Sequence, residues 1–138
     1  MHQILDHTAD LCLRVRSPNL EGLARDAACG LFEIIAGDLD QIRPAKDGIE
    51  RFRIAGSDPA WLLFDWLREL HAAFELRRML FRDFDVTIDA TGLRATAVGE
   101  RYDPARHTLA HEVKGITQHE LSVESTPTGW EATLVVDV

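Results

Sequence analysis

Two acidic positions near opposite ends of the chain restrict the topologies that it can adopt. Asp10 closes a His-Thr-Ala-Asp segment near the start, and Asp137 stands one residue from the last residue, Val138. Carboxylates so far apart in sequence can share a site only if the first and last strands lie side by side. The pair therefore predicts that the terminal strands are neighbours in one sheet.

Length and composition predict one folded domain with an acidic surface. A chain of 138 residues, 46% hydrophobic and 28% charged, can bury roughly two-thirds of its unfolded surface and needs no disulfide or metal to fold. The formal net charge of −8 argues against direct binding of bare RNA, which requires clustered Lys and Arg. An acidic surface suits divalent cations, or a basic patch on a protein partner.

The two cysteines, Cys12 and Cys29, lack the CxxC spacing of many metal and redox sites. The chain shows no charged and then apolar leader, and no apolar run long enough to cross a membrane. We therefore expect a cytoplasmic protein with no membrane association and with two ordinary thiols.

Hydrophobic periodicity predicts two amphipathic helices. Apolar residues recur at helical spacing from Leu20 to Ile34, between capping signals at residues 17–19 and a possible left-handed stop at Gly37. For the second helix, Asp58 can cap the first turn and Pro59 loses no hydrogen bond there. Its predicted buried stripe consists of Leu63, Trp66, Leu67, Leu70 and Phe74.

Alternating hydrophobicity predicts strands at residues 11–15 and 50–55, a hairpin of residues 86–90 and 93–98, and a second hairpin of residues 119–124 and 130–138. Val86, Ile88 and Ala90 are expected to face inward. The overall prediction is an α+β fold: a single compact domain over residues 1–138, with a mainly antiparallel or mixed sheet and two amphipathic helices packed on it.

The same alternation places both carboxylates away from the core. Asp10 is in phase with Cys12 and Arg14 on the side that faces water, and Asp137 is in phase with Thr133. Two carboxylates with a main-chain or terminal oxygen of Val138 would form an oxygen-rich site that suits Ca²⁺ or Mg²⁺ better than Zn²⁺. The alternative is that Asp10 ends a turn and Asp137 is a solvated strand residue.

Three segments resemble the archease family in order and spacing. They read HTADLCLRVRSPNLEGLARDAACGLFEII, LLFDWLRELHAAFELRRMLFRDFDV, and GERYDPARHTLAHEVKGITQHELSV followed by WEATLVVDV. The most specific pieces are His-Thr-Ala-Asp, the Gly-Glu-x-x-Asp run from Gly99 to Asp103, Val113-Lys114 leading to Thr117 and His119, and the final Val-Val-Asp-Val. One departure is Gly115-Ile116-Thr117-Gln118 after Lys114, where the family usually has Ala-x-Thr-Tyr.

The resemblance implies a small cytosolic protein that is not itself an enzyme. Archeases assist the GTP-dependent ligase that joins tRNA halves or mends broken RNA, by promoting guanylylation and repeated turnover of the ligase. Contact with RNA is then only indirect, through the ligase. The resemblance also implies a metal site at Asp10, Asp137 and Val138, and a polar patch at Glu100 and Lys114 that acts on the ligase.

Several residues have alternative interpretations. His7 is a candidate ligand, base, turn residue or support for a metal ligand. His119 is in phase with Leu121, so its ring is expected on the apolar side, as a structural residue or a support for the site. Parity places Glu100 on the outer face, where a solvated charge is the alternative. His107 and His111 have the spacing of two ligands on a helix, but no Glu or Cys completes a zinc pattern.

Two further functions stay open at this point. One is a metal-dependent hydrolase or nuclease that uses Asp10 and Asp137 with a histidine as base, and the other is a chaperone-like module that binds proteins. The sequence contains no nucleophile elbow and no Gly-rich phosphate loop before a helix. An activated nucleophile, or GTP binding by this chain alone, is therefore not expected. Its oligomeric state is not predicted.

Overall fold

Capping residues begin both helices, and end the first, where the sequence predicts them. The computed structural model describes residues 1–7 and 10–138, without the side chains of residues 5–7. Helix α1 (Leu20–Ala36) begins at Asn19, whose side chain accepts a hydrogen bond from the Gly22 amide at 2.7 Å. It ends at Gly37, with φ of 80°. Helix α2 (Pro59–Arg77) is capped by Asp58.

The Asn19 cap should contribute measurably to stability. Replacing Asn19 with alanine should lower the free energy of unfolding by about 1 kcal/mol, because the Gly22 amide loses its acceptor. Thermal or urea unfolding measures the loss. Asn19→Asp keeps an acceptor and should restore most of the stability, so equal stability of the two variants would contradict the capping role.

The strands and helices confirm the predicted α+β class, but the strands form two separate antiparallel sheets and not the one sheet that was predicted. One sheet has the order β1-β2-β7-β6 and the other has the order β3-β5-β4. The strands are β1 (His2–His7), β2 (Asp10–Ser17), β3 (Ile49–Ala55), β4 (Met79–Asp89), β5 (Gly92–Arg101), β6 (Gly115–Thr126) and β7 (Gly129–Asp137).

The two helices lie between the sheets. Helix α1 contacts β2 of one sheet and β4 of the other, while α2 contacts β6 and β3. Trp66 of α2 is fully buried there, where its indole nitrogen donates to the Ala24 carbonyl at 3.0 Å and its ring meets Phe52 edge to face. The whole stripe predicted for α2 is buried, which confirms it. Each sheet therefore has one face toward the helices and one outer face.

Three details differ from the sequence prediction. Strand β1 was not predicted, so the strand expected to be first is β2. Strands β4 and β6 begin earlier than expected, because bulges at residues 81–83 and 117–122 interrupt their alternation. Ala90 lies exposed in the turn after β4 and does not face inward. In the part of the chain that the structure describes, neither helix has the length and hydropathy needed to span a membrane.

Candidate functional site

Asp10 and Asp137 lie directly opposite each other in the ladder between β2 and β7. The strands expected to be neighbours are therefore neighbours, in the register that joins the two carboxylates. Directly opposed residues have Cβ atoms about 5 Å apart on the same face of the sheet. Gly115 of β6 pairs with Asp137 on its other side. The site thus occupies one end of the four-stranded sheet, and both aspartates are half-buried.

The facing carboxylates repel each other unless a cation lies between them. Among the side chains that the structure describes, those of residues 1–4 and 10–138, neither has a salt-bridge partner. Two carboxylates this close fit the oxygen ligands that Ca²⁺ or Mg²⁺ prefers. However, the described residues contain no group of three or more His, Cys, Asp or Glu side chains arranged for a metal. Main-chain oxygens or water could complete the coordination of a metal, and the half-buried Val138 directly follows Asp137.

Cys12 does not face water as its phase with Arg14 suggests. It pairs with Val135 across β2 and β7, and each is only 2% exposed. Burial raises the pKa of the Cys12 thiol. Both residues lie on the inner strands of their sheet. The carboxylate pair therefore borders a small apolar patch.

Lys114 adjoins the carboxylate pair through its main chain. Its amide donates a hydrogen bond to the Asp137 carbonyl at 2.8 Å, just before β6 begins. The Lys114 side chain is exposed. Strand β1 brings His7 opposite Asp10 in register, but Thr8, Ala9 and the His7 side chain lie outside the described residues.

The prediction that the His119 ring faces the apolar side is wrong, because His119 is exposed. Four residues of β6 bulge out between the pairs that Thr117 and Ser122 make with β7. Within the bulge, Glu120 adopts a positive φ of 59° and the His119 amide bonds the Thr117 hydroxyl at 2.8 Å. Counting alternate residues along this segment therefore does not predict which face of the sheet each side chain occupies.

Glu100 is not the solvated outer-face charge that parity indicates, since its side chain is only 14% exposed. Its carboxylate pairs with Arg106, accepts the Arg43 amide at 2.6 Å, and lies 2.9 Å from Nε2 of His107. Burial by itself raises the pKa of this carboxyl, but the hydrogen bonds from Arg106, Arg43 and His107 outweigh it and lower the pKa to about 2. Glu100 is therefore ionised and held inside the protein.

His107 lies on the other side of this cluster. Its pairing with Glu100 was not recognised from the sequence. Its Nδ1 accepts the Asp103 amide at 2.9 Å, so in the neutral ring the proton is on Nε2 and is donated to Glu100. The ring is buried and stacks on Tyr102. His111 is exposed, so the two histidines do not share an environment. The i, i+4 spacing from Asp103 to His107 was the available sequence signal.

The cluster fastens the segment after β5 to the turn after α1. Arg106 also donates to the Gln41 carbonyl at 3.2 Å. The Gln41 amide group exchanges two hydrogen bonds of 2.9 Å with the main chain of Thr108. Glu100 thus has a structural role, in a place separate from the carboxylate pair.

Comparisons with known proteins agree over the full length of the chain. The archease protein family matches residues 2–138. Protein archease of Methanopyrus kandleri is 39% identical, over 97% of this chain and 96% of its own length, and that of Pyrococcus abyssi is 35% identical, over 96% and 95%.

Two solved structures share the fold. Methanobacterium thermoautotrophicum protein 1598 superposes with a TM-score of 0.82 at 29% identity, covering 99% of this chain and 98% of its own. A Thermotoga maritima protein described as an archease and possible chaperone has a TM-score of 0.71 at 18% identity, covering 100% and 98%. Both the sequence match and the fold lead to one conclusion: the chain belongs to the archease family.

Proposed function

We propose that this archease assists a GTP-dependent RNA ligase of the type that joins tRNA halves or repairs broken RNA. It promotes guanylylation, so that the ligase turns over repeatedly, and it touches RNA only through the ligase. The observation that carries this proposal is the register that sets Asp10 opposite Asp137. A like-charged pair at such close range costs stability, and a role in function accounts for its presence.

In this proposal Asp10, Asp137 and a main-chain oxygen of Val138 hold a divalent cation, either Ca²⁺ or Mg²⁺. The cation would neutralise the two carboxylates and add positive charge near the site where the ligase and GTP meet. His7 and His119 remain candidates for supporting the ligands through water. His119 is exposed in the β6 bulge, which leaves its ring free to turn toward solvent or a partner.

The surface offered to the ligase is the end of the four-stranded sheet that carries the carboxylate pair and Lys114. The exposed Lys114 ammonium can donate to a partner carboxylate or phosphate, while its main chain stays bonded to Asp137. Glu100 contributes indirectly. Because its carboxylate is already bonded to Arg43, Arg106 and His107, it would act by supporting the shape of the adjoining loops that form part of the polar patch.

Asp137→Asn tests this function. We expect the variant to stimulate multiple-turnover ligation and ligase guanylylation at least about tenfold less than the wild type does, because one of the two facing carboxylates loses its charge. Titration calorimetry should show Ca²⁺ or Mg²⁺ binding by the wild type and not by the variant. Glu131→Gln removes the same charge from the same face of β7 and serves as the matched control.

Each other outcome has a distinct meaning. Full stimulation by Asp137→Asn would overturn the role of the carboxylate pair. RNA cleavage by the archease without ligase would support a hydrolase or nuclease. Protection of the ligase from aggregation with guanylylation unchanged would support a chaperone, the description that the Thermotoga maritima protein carries.

A further inference from the structure

One edge of the three-stranded sheet carries a cluster of arginines on its outer face. Arg51 and Arg53 alternate along β3, and Arg53 lies directly opposite Arg94 of β5. All three are exposed. Directly opposed like charges destabilise a sheet, and this cluster occurs on a chain of net charge −8. The edge is therefore locally positive on an otherwise acidic protein.

Acidic residues lie across the sheet from β3, and Asp85 borders the same surface depression as Arg51 and Arg53 without forming a salt bridge to either. Asp83, Asp85 and Asp89 share this outer face, but they lie on β4, at the far edge of the sheet. The Asp89 carboxylate forms a salt bridge of 3.1 Å with the Arg94 guanidinium. Among the described side chains, of residues 1–4 and 10–138, neither arginine of β3 has a salt-bridge partner. Two guanidinium groups thus remain available at the β3 edge.

Strand β3 also has main-chain groups to offer. Its one neighbour in the described residues is β5, so the amide and carbonyl groups along its other side take no part in this sheet. Such an edge can accept an extended segment as an additional strand. Ile49 is 49% exposed and shares a face with Arg51 and Arg53, at intervals of about 7 Å. The edge thus presents one apolar and two cationic positions in a row.

We propose that β3 binds an extended acidic segment of a partner protein by strand addition. The segment would place an apolar side chain opposite Ile49 and carboxylates, two residues apart, opposite Arg51 and Arg53. Main-chain hydrogen bonds would supply affinity, and the three alternate side chains would supply specificity. This surface belongs to the other sheet from Asp10 and Asp137, so the inference stands independently of the proposed ligase function.

A nucleic acid strand fits this edge less well than an acidic protein segment. Single strands bind sheets largely by stacking bases on exposed aromatic rings, whereas the aromatic residues described on these strands, Phe52, Phe81 and Phe84, are buried on the inner side. The acidic β4 edge and the net charge would also repel a long polyanion. A short acidic segment bound along β3 would avoid this repulsion, because β5 separates it from β4.

Fluorescence anisotropy with a labelled peptide tests the proposal. The probe is an eight-residue peptide of alternating valine and threonine in which two glutamates stand two positions apart, and an otherwise identical peptide with adjacent glutamates is its control. We expect the first peptide to bind better. Arg51→Glu with Arg53→Glu should weaken its binding roughly tenfold or more. Arg25→Glu with Arg68→Glu, exposed on the helices, should leave binding unchanged.

Two further arms separate strand addition from simple charge attraction. A peptide with lysines in place of the glutamates should bind the Arg51→Glu, Arg53→Glu variant better than it binds the wild type. N-methylation of alternate amides should abolish binding, because it removes the main-chain donors. Absence of binding, equal weakening by the helix variant, or tighter binding of a single-stranded RNA of eight nucleotides would each overturn the proposal. If the peptide does not bind, the arginines would only protect an edge strand from aggregation.

Discussion

Gly99→Ala should lower the free energy of unfolding by about 3 kcal/mol or more, near the upper end of single-residue effects. A Cβ atom at this position would come 1.8 Å from the Leu80 carbonyl oxygen and 2.7 Å from the Phe81 Cα atom. Both are main-chain atoms of β4 next to its bulge, where Phe81 pairs with Gly99. They cannot rotate away as a side chain can, so the sheet must move.

Gly115→Ala provides the matched control. Apart from Gly115 and its two chain neighbours, no atom of the described residues lies within 4 Å of a Cβ placed there, and Gly115 does not have a positive φ. Alanine also restricts the unfolded chain, so this variant should be unchanged or more stable by up to about 1 kcal/mol. Urea unfolding of both variants gives the comparison. Equal losses at the two positions would show that close packing around Gly99 is not the reason for glycine there.

Ionised Glu100 should make the protein sensitive to acid. The folded state lowers its pKa from 4.5 to about 2, so the resulting stability is fully present above pH 4.5 and is lost as the pH falls toward 2. A pKa difference of this size corresponds to about 3 kcal/mol. In the wild type, this part of the stability should disappear over that range of pH.

Glu100→Gln isolates the contribution of the charge. At pH 7 the variant should be less stable by about 3 kcal/mol, because Arg106 and His107 lose their anionic partner. The stability difference from the wild type should then shrink as the pH falls from 5 to 2. Glu124→Gln, at an exposed position of β6, controls for loss of a surface charge. A difference that stays constant with pH would contradict an origin in the ionisation of Glu100.

Local signals in the sequence were sufficient to predict the helices and the topology around the carboxylate pair. Asn19 and Asp58 are capping residues whose effect depends on the next few residues only, and both caps form as predicted. The pairing of Asp10 with Asp137 followed from the assumption that they share a site, and the observed register agrees. That they bind a divalent cation, and that they act on an RNA ligase, remain predictions.

The sequence could not show features that depend on packing at a distance. A bulge shifts the alternation without changing the local composition, and therefore His119 was placed on the wrong side of β6. The residues next to Glu100 in the sequence do not reveal its partners, because Arg43 and Arg106 belong to other segments of the chain. Cys12 is buried because β2 is an inner strand of its sheet. The local pattern of residues does not predict the order of strands in a sheet.

The pairing of β2 with β7 has a consequence for the order of events during folding. These strands join residues 10 and 137, so almost the whole chain must be closed into a loop before the carboxylates meet. Such long-range pairing is entropically costly and typically slow. Helix α1 and the β4 to β5 hairpin can form before it, but the paired aspartates cannot. Capture of a cation by this pair would therefore select the completed fold over any intermediate that lacks β7.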